Sequence, residues 1–288
     1  MPLVFAGVCS HAPGIVGRAH MADPADRASC HAAFDDMRVE IEATKPDALI
    51  VIAAEHFANF FMNNMLAFAM VMTDHYEGPI EDEVWLGIRR HRIPGHADLA
   101  LRLITRVLDE VDVAYAEEWK LDHGIMVPLH FLTPRYDLPI IAVNINCQGP
   151  PLTPLHRAHA FGRVLRRACD EVPERIALIG TGGISHWPAT PISGRINEAF
   201  DREFLERWSA NRRDELLAYR DEDTYRNAGQ GGFEIRTFIA VSGATEGLAA
   251  DVLYYRAIPT FSVGCTIGIV RGLEGYDAVP QAGGRRQG

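Results

Sequence analysis

Four histidines of this sequence follow or lie within runs that resemble buried strands. His11 comes after VFAGVCS, His56 after ALIVIAAE and His186 after IALIGTGGIS, while His123 lies in the less regular run WKLDHG. In open α/β sheets, ligands bind beyond the carboxyl ends of the strands. Imidazole is the commonest metal ligand and titrates near neutral pH. Histidines delivered to that edge therefore predict a metal site, an acid–base site, or both.

A carboxylate that would complete a metal site follows a glycine pair. Glu234 stands in GGFEIRTF, where Gly231 and Gly232 allow a close approach of the backbone. Two histidines and one carboxylate, with positions left open, form the ligand set of non-haem iron(II) oxygenases. The ordinary interpretation is that the helix dipole favours an acid in the first turn. On residue types alone, His11 and His56 either join Glu234 at a metal or merely cap their strands.

His123 and His186 have glycine neighbours, in DHG and in GTGGISH, and neither fits a zinc-finger spacing. The sequence lacks the H-E-x-x-H, phosphate-loop, dinucleotide-binding and G-x-S-x-G motifs. It therefore does not predict a metalloprotease, a nucleotide-binding protein or an acyl-transfer triad. A histidine that lies beside a metal without binding it is suited to acid–base work near neutral pH.

Short β-branched runs alternate with amphipathic stretches along the chain. The runs predict strands at residues 3–9, 47–53, 66–73, 111–116, 140–144, 176–180, 252–255 and 261–263. The amphipathic stretches predict helices at residues 25–43, 96–108, 154–169, 196–219 and 233–244. This order predicts an α/β fold with a mixed central sheet, helices on both faces and the active site at the strand ends. We expect one catalytic domain over residues 1–275 and a flexible tail over residues 276–288.

Composition limits the classes of partner. The chain has 288 residues and a formal charge of −10, which argues against nucleic acid and anionic membranes. No apolar run reaches the roughly 18 residues that a membrane span needs. The five cysteines are scattered, and the N-terminus has no export signal. These features predict a cytoplasmic protein with reduced thiols.

Five motifs carry a resemblance to a known family. They are SH at residues 10–11, EHFANFF at 55–61, DHG with a following proline at 122–128, GTGGISH at 180–186 and FEIRTF at 233–238. In this order, from about residue 5 to about residue 270, the chain resembles the type II extradiol dioxygenases. That family includes protocatechuate 4,5-dioxygenase β subunits and 2,3-dihydroxyphenylpropionate 1,2-dioxygenases.

The resemblance implies an enzyme that opens a catechol ring with Fe(II) and O₂ to give a semialdehyde-type product. It implies that His11, His56 and Glu234 hold the iron. It further implies that His186 acts as the acid–base residue and that His123 hydrogen-bonds substrate or oxygen.

The same resemblance, together with the net negative charge, predicts a catechol that bears an acidic group, such as protocatechuate, gallate or a dihydroxyphenyl alkanoate. An acidic group must be neutralised locally in a chain of this charge. The residues expected to do so lie in the FEIRTF and YYRAIPTFS segments and are Arg236, Arg256, Thr260 and Ser262.

Two other functions use the same residues. A zinc or other divalent-metal hydrolase is compatible with histidine and glutamate ligands. A non-catalytic binding protein with the same fold is the second alternative, although it would not need His123 and His186. We expect a homo-oligomer, and the sequence leaves open whether a small accessory subunit covers the site.

Overall fold

The computed structural model describes residues 3–273 of the chain. Its strands are β1 (Leu3–Cys9), β2 (Ala48–Ala53), β3 (Phe68–Val71), β4 (His75–Gly78), β5 (His91–Pro94), β6 (Ala114–Ala116), β7 (Ile140–Ile145), β8 (Ile176–Thr181), β9 (Ala250–Ile258) and β10 (Val263–Val270). Its α-helices are α1 (Gly14–Gly17), α2 (Pro24–Thr44), α3 (Glu83–Leu86), α4 (Ala97–Val107), α5 (His123–Leu132), α6 (Leu155–Asp170), α7 (Glu198–Ser209), α8 (Arg213–Leu217), α9 (Asp221–Ala228) and α10 (Ile235–Ala244).

Eight of these strands form one sheet in the order β6-β3-β7-β2-β8-β1-β10-β9. The four inner strands β7, β2, β8 and β1 are parallel to one another. Strands β10 and β9 are antiparallel additions at one edge, and β3 runs antiparallel to β7 near the other. The predicted mixed central sheet is therefore confirmed.

The inner strands are buried on both faces. Along β2, Leu49 and Val51 pack into an apolar cluster with α2 and α5. Ile50 and Ile52 pack into a second cluster with α4, α6 and α10. Because successive side chains of a strand point to opposite faces, a continuous apolar run predicts cover on both sides. The predicted helices on both faces are confirmed.

The topology brings the predicted site segments together. β2, β8 and β1 are adjacent and parallel, so their carboxyl ends meet at one edge of the sheet. The segments that carry His56, His186 and His11 all leave the sheet there. Residues distant in sequence therefore become neighbours.

Several element boundaries differ from the sequence predictions. The predicted strand 261–263 is wrong in its first part: Pro259–Phe261 is a 3-10 turn, and β10 starts only at Val263. The predicted helix 196–219 is two helices, α7 and α8, with a break at residues 210–212. The sequence did not predict α5, which is apolar on nearly every side and contains Pro128.

A two-stranded hairpin of β4 and β5 was also not predicted. Its strands have only four residues each, too few to give a clear alternation.

Within residues 3–273, no helix has the length and apolar character that crossing a membrane requires. The expected flexible tail at 276–288 lies outside the described residues, and the single domain over 1–275 stays a prediction.

Candidate active site

His11 lies just beyond the carboxyl end of β1 and is almost fully buried. Its Nδ1 lies 3.0 Å from the hydroxyl oxygen of Thr181, the last residue of β8. That hydroxyl donates its hydrogen to the carbonyl oxygen of Gly124 at 2.7 Å, so it can only accept from Nδ1–H. The contact selects the tautomer in which Nε2 of His11 carries a lone pair.

His56 is oriented by Asp122 in a similar way. The Asp122 Oδ2 accepts from the backbone N–H of His56 at 2.7 Å and lies 3.0 Å from its Nδ1. The other carboxylate oxygen accepts from Gly124 N–H at 3.0 Å and caps α5. The Nε2 of His56 is thereby directed away from Asp122, as a carboxylate–histidine pair directs a metal ligand.

Both free imidazole nitrogens point at Glu234. The Glu234 Oε1 lies 3.2 Å from His56 Nε2, and Oε2 lies 3.3 Å from His11 Nε2. The backbone N–H of Gly183 donates to the same Oε2 at 2.5 Å. Burial alone would raise the pKa of the Glu234 carboxyl, but the neighbouring His11 and His186 hold it well below its usual range.

This donor set fits a divalent cation. A lone pair on nitrogen and a carboxylate oxygen repel each other at this separation unless a proton or a metal lies between them. Burial opposes a charge on His56, yet Asp122 and Glu234 raise its pKa to about 10, so the site attracts positive charge. His11, His56 and Glu234 thus supply the two-histidine, one-carboxylate arrangement that suits Fe(II).

His123 stands at the first position of α5, beside the other two rings. One nitrogen each of His11, His56 and His123 lie within 4.8 Å of one another, so a three-histidine set is also available. The His123 ring centroid is 4.0 Å from that of His56. Burial and the neighbouring His56 lower the pKa of His123.

Glu81 contacts both the backbone and the ring of His123. Its Oε1 accepts from the His123 backbone N–H at 2.8 Å and lies 2.6 Å from Nδ1. The hairpin positions it: Ile80 N–H donates to the Leu121 carbonyl, and Leu121 N–H donates to the Glu77 carbonyl. With Nδ1–H directed at Glu81, the His123 Nε2 is the nitrogen left for the site.

His186 follows β8 and lies on the other side of Glu234, with Nε2 3.7 Å from Oε2. Its backbone N–H donates to the Ala228 carbonyl at 2.8 Å. A Cβ built on Gly231 would lie 2.3 Å from the His186 ring, so only glycine allows this approach. Burial lowers the pKa of His186, against the opposing charge of Glu234.

Comparison with known sequences assigns the chain to a family. A sequence model of the catalytic LigB subunit of aromatic ring-opening dioxygenases matches residues 6–266. The chain belongs to this family. It is thus an extradiol ring-opening dioxygenase, as the motifs indicated.

Two relatives of this LigB-family chain are each named 2,3-dihydroxyphenylpropionate/2,3-dihydroxicinnamic acid 1,2-dioxygenase. The protein from Burkholderia vietnamiensis (strain G4 / LMG 22486) is 30% identical over 275 residues, which cover 79% of this chain and 85% of the relative. The protein from Paraburkholderia xenovorans (strain LB400) is 28% identical over 306 residues, which cover 88% and 90%. The crystal structure of the uncharacterized protein JW3007 from Escherichia coli K12 shares the fold, with a TM-score of 0.64 and 18% identity over 93% of this chain and 100% of that chain.

The structure separates the four expected substrate-binding residues. Arg236 is fully buried, and its guanidinium donates to the Thr153 carbonyl at 2.6 Å, to the Phe233 carbonyl and to the Asp221 carboxylate. These contacts occupy it within the protein, so the prediction for Arg236 does not fit the structure.

The other three expected anchors lie along β9 and the turn after it. Arg256 is 56% exposed and lies 2.6 Å from Asp26 Oδ1. Thr260 and Ser262 are half-buried in the segment between β9 and β10. Their contact with substrate stays a prediction.

Sequence reasoning missed the residues that orient the histidines. Asp122 could have been noted, because it directly precedes His123 in DHG. Thr181 stands in the GTGG motif, whose glycines are its more conspicuous feature. Glu81 gave no local signal, since it is one of several acids in GPIEDE and reaches His123 only through the hairpin.

Proposed function

We propose that this LigB-family enzyme uses Fe(II) and O₂ to open the ring of a catechol that bears an acidic side group. The observation that carries the proposal is the convergence of His11 Nε2 and His56 Nε2 on the two Glu234 oxygens at 3.3 and 3.2 Å. Two neutral imidazoles and one carboxylate leave further positions of an iron free for other ligands.

The bound metal would supply a template on which a catechol and O₂ meet, with the redox chemistry that this reaction needs. His11, His56 and Glu234 would hold it. Thr181 and Asp122 keep the two imidazoles in the ligating tautomer, because each contacts the Nδ1 on the far side of the ring.

His186 and His123 flank the ligands and are available for proton transfer. His186 Nε2 lies 3.7 Å from the Glu234 carboxylate, so a substrate hydroxyl that entered beside Glu234 would be within its reach. His123 presents Nε2 because Glu81 engages its Nδ1. We assign His186 to removal of a substrate proton and His123 to a hydrogen bond with substrate or oxygen.

The substrate class follows from two supports. The relatives are named for dihydroxyphenylpropionate and dihydroxycinnamate, which are catechols with a carboxylated side chain. The formal charge of −10 makes a local anchor for such a group necessary. Thr260, Ser262 and Arg256 remain the sequence-predicted anchors, and the product is a ring-opened semialdehyde-type acid.

The test combines metal analysis with oxygen uptake. Protein purified without oxygen should contain one iron per chain. Iron-reconstituted protein should consume one O₂ per catechol and form a yellow ring-opened product. Zinc in place of iron, with no oxygen uptake on any catechol of a panel, would sink the proposal and favour a metal hydrolase.

Location and assembly complete the proposal. All five cysteines are buried thiols without disulfides, which supports a reducing compartment such as the cytoplasm. A homo-oligomer is expected, and sedimentation of the purified chain measures it. Full activity of that chain alone would exclude a required accessory subunit.

A further inference from the structure

The guanidinium of Arg18 forms no ion pair with a carboxylate in the described part of the chain. It directly follows α1, seven positions after His11, and is half-buried. Its NH2 donates to the Ser262 hydroxyl at 3.0 Å. Among the described residues 3–273, no carboxylate forms an ion pair with it. A guanidinium has five N–H donors in a planar fork, so most of the donors of Arg18 remain available.

Ser262 is held in an unusual conformation beside Arg18. Its φ is 64°, in the left-handed region that residues other than glycine rarely adopt. The Pro259–Phe261 turn imposes this, with Ser262 N–H donating to the Pro259 carbonyl at 2.9 Å. The turn thus holds the backbone of Ser262 in place, and the Ser262 hydroxyl accepts from Arg18 NH2 and positions the end of that side chain.

The pair lies on segments that carry the active site. A Cβ built on Gly14 would lie 2.8 Å from Phe261 Cα and 3.0 Å from Arg18 NH2, so the turn packs closely on the segment that follows His11. On the other side of Ser262, Val263 packs against Gly183, whose N–H binds Glu234. The residues on either side of Ser262 thus contact the segment that follows His11 and the segment that leads to His186.

An aromatic ring adjoins the same region. α1 packs against α3, which carries Trp85. The Trp85 ring is 55% exposed, and its centroid lies 6.3 Å from that of His123. Trp85 on α3 therefore offers an apolar face beside His123, and Arg18, directly after α1, offers a cation next to the helix that packs against α3.

The two arginines that the sequence predicts as carboxylate anchors differ from Arg18, because each forms an ion pair. Arg256 is paired with Asp26, and Arg236 with Asp221. Each would have to break an ion pair before binding a substrate anion, whereas Arg18 would not. A planar guanidinium also matches a carboxylate in bidentate geometry.

We propose that Arg18, positioned by Ser262, binds the side-chain carboxylate of the catechol substrate and so sets the preference for acidic catechols. This assignment rests on the proposed ring-cleaving function. Arg18 is a specificity residue, so its loss should act on substrate binding and leave the ring-opening step intact.

The experiment compares an acidic and a neutral substrate of the same shape. Steady-state oxygen uptake is measured with a dihydroxyphenyl propionate and with its methyl ester, for wild type, Arg18→Gln, Ser262→Ala and Arg163→Gln. Loss of a hydrogen bond to a charged group weakens binding, so the KM for the acid should rise about tenfold to hundredfold in Arg18→Gln. Turnover of the ester by Arg18→Gln should change less than about twofold. In Ser262→Ala the KM for the acid should rise less, by about threefold, and the KM for the ester should not change.

Arg163→Gln is the matched control, because Arg163 lies on α6 and its loss changes the net charge equally. In this variant KM and turnover should stay at the wild-type values for both substrates. An equal loss on acid and ester in Arg18→Gln, or no loss on either, would overturn the assignment of Arg18. Failure of the wild type to consume oxygen with any catechol would instead overturn the proposed function, so the two failures are distinguishable.

Discussion

Two buried carboxyl groups that both contact the segment carrying His186 have contrasting surroundings. Glu234 is 2% exposed and faces Nε2 of His11, His56 and His186. Asp201 is 0% exposed. It accepts from the backbone N–H of Ser185 at 2.8 Å and from the Tyr255 hydroxyl at 2.7 Å.

Burial alone would raise the pKa of both carboxyl groups, but the residues around each group decide the direction of its net pKa shift. Burial raises the pKa of Asp201 to about 7, since its hydrogen bonds oppose it only in part. The pKa of Glu234 falls well below its usual range because the neighbouring His11 and His186 favour the charged carboxylate and outweigh burial. The difference teaches that two equally buried carboxyl groups can have opposite pKa shifts, because imidazole neighbours favour the charged form of one and two hydrogen bonds do not offset burial of the other.

Removal of Glu234 should have the largest effect. Glu234→Ala deletes the carboxylate that both Nε2 atoms face, so we expect loss of the metal and of all measurable activity, with the fold retained. His11→Ala should behave alike. Metal content and circular dichroism of both variants check this.

Asp201→Asn is the matched control for Glu234→Ala and should keep its metal. Full metal occupancy in Glu234→Ala would contradict the ligand assignment and favour the His11, His56 and His123 set instead. His123→Ala would then be the variant that loses the metal.

His186→Ala sharpens the comparison, because the segment that carries His186 contacts both carboxyl groups. Its ring adjoins Glu234, while Asp201 holds the preceding residue, Ser185. We expect the metal to stay and kcat to fall by about 10²- to 10⁴-fold, the usual worth of general acid–base catalysis. Loss of metal from this variant would show that His186 is a ligand.

Glu81 is a third acid, which orients a histidine without facing a ligand position. Glu81→Ala frees the His123 Nδ1–H and should lower kcat about tenfold to a hundredfold, as loss of such supporting contacts does. The KM should change little. Glu81→Gln should recover most of the rate, because an amide oxygen still accepts both N–H groups. Equal loss in the two variants would argue that His123 is not positioned by this contact.

Asp201→Asn should show the smallest effect, on stability and not on turnover. In the unfolded chain Asp201 releases its proton near pH 3.8, but in the folded protein only near pH 7. Between these values the folded state binds more protons, so the free energy of unfolding of the wild type falls as pH rises from about 4 to about 7.

The variant has no titrating group at this position and lacks that part of the pH dependence. Urea unfolding of both proteins at pH 5 and pH 8 measures the difference. Between pH 5 and pH 8 the wild type should lose stability relative to the variant, by about 1.4 kcal/mol for each pH unit from 5 up to the folded pKa of about 7. An unchanged difference between the two pH values would show that Asp201 is already ionised in the folded protein at pH 5.

The sequence by itself determined the fold class and the family. Continuous apolar runs such as LVFAGVC and ALIVIA predict strands buried on both faces, whatever their neighbours turn out to be. The resemblance to the ring-opening dioxygenases depends on short sequence motifs, which need no knowledge of the fold. These motifs surround His11, His56, His123, His186 and Glu234.

The tertiary structure alone decided which groups support those residues. Glu81 reaches His123 through an unpredicted hairpin, and Thr181 meets His11 because β8 pairs with β1. The same holds for substrate recognition: Arg236 fails as an anchor because the fold buries it against Asp221, while Arg18 gains Ser262 from the far end of the chain. Such contacts join residues that are distant in sequence. No periodicity or local motif encodes them, because only packing fixes which charges are neutralised and which stay available.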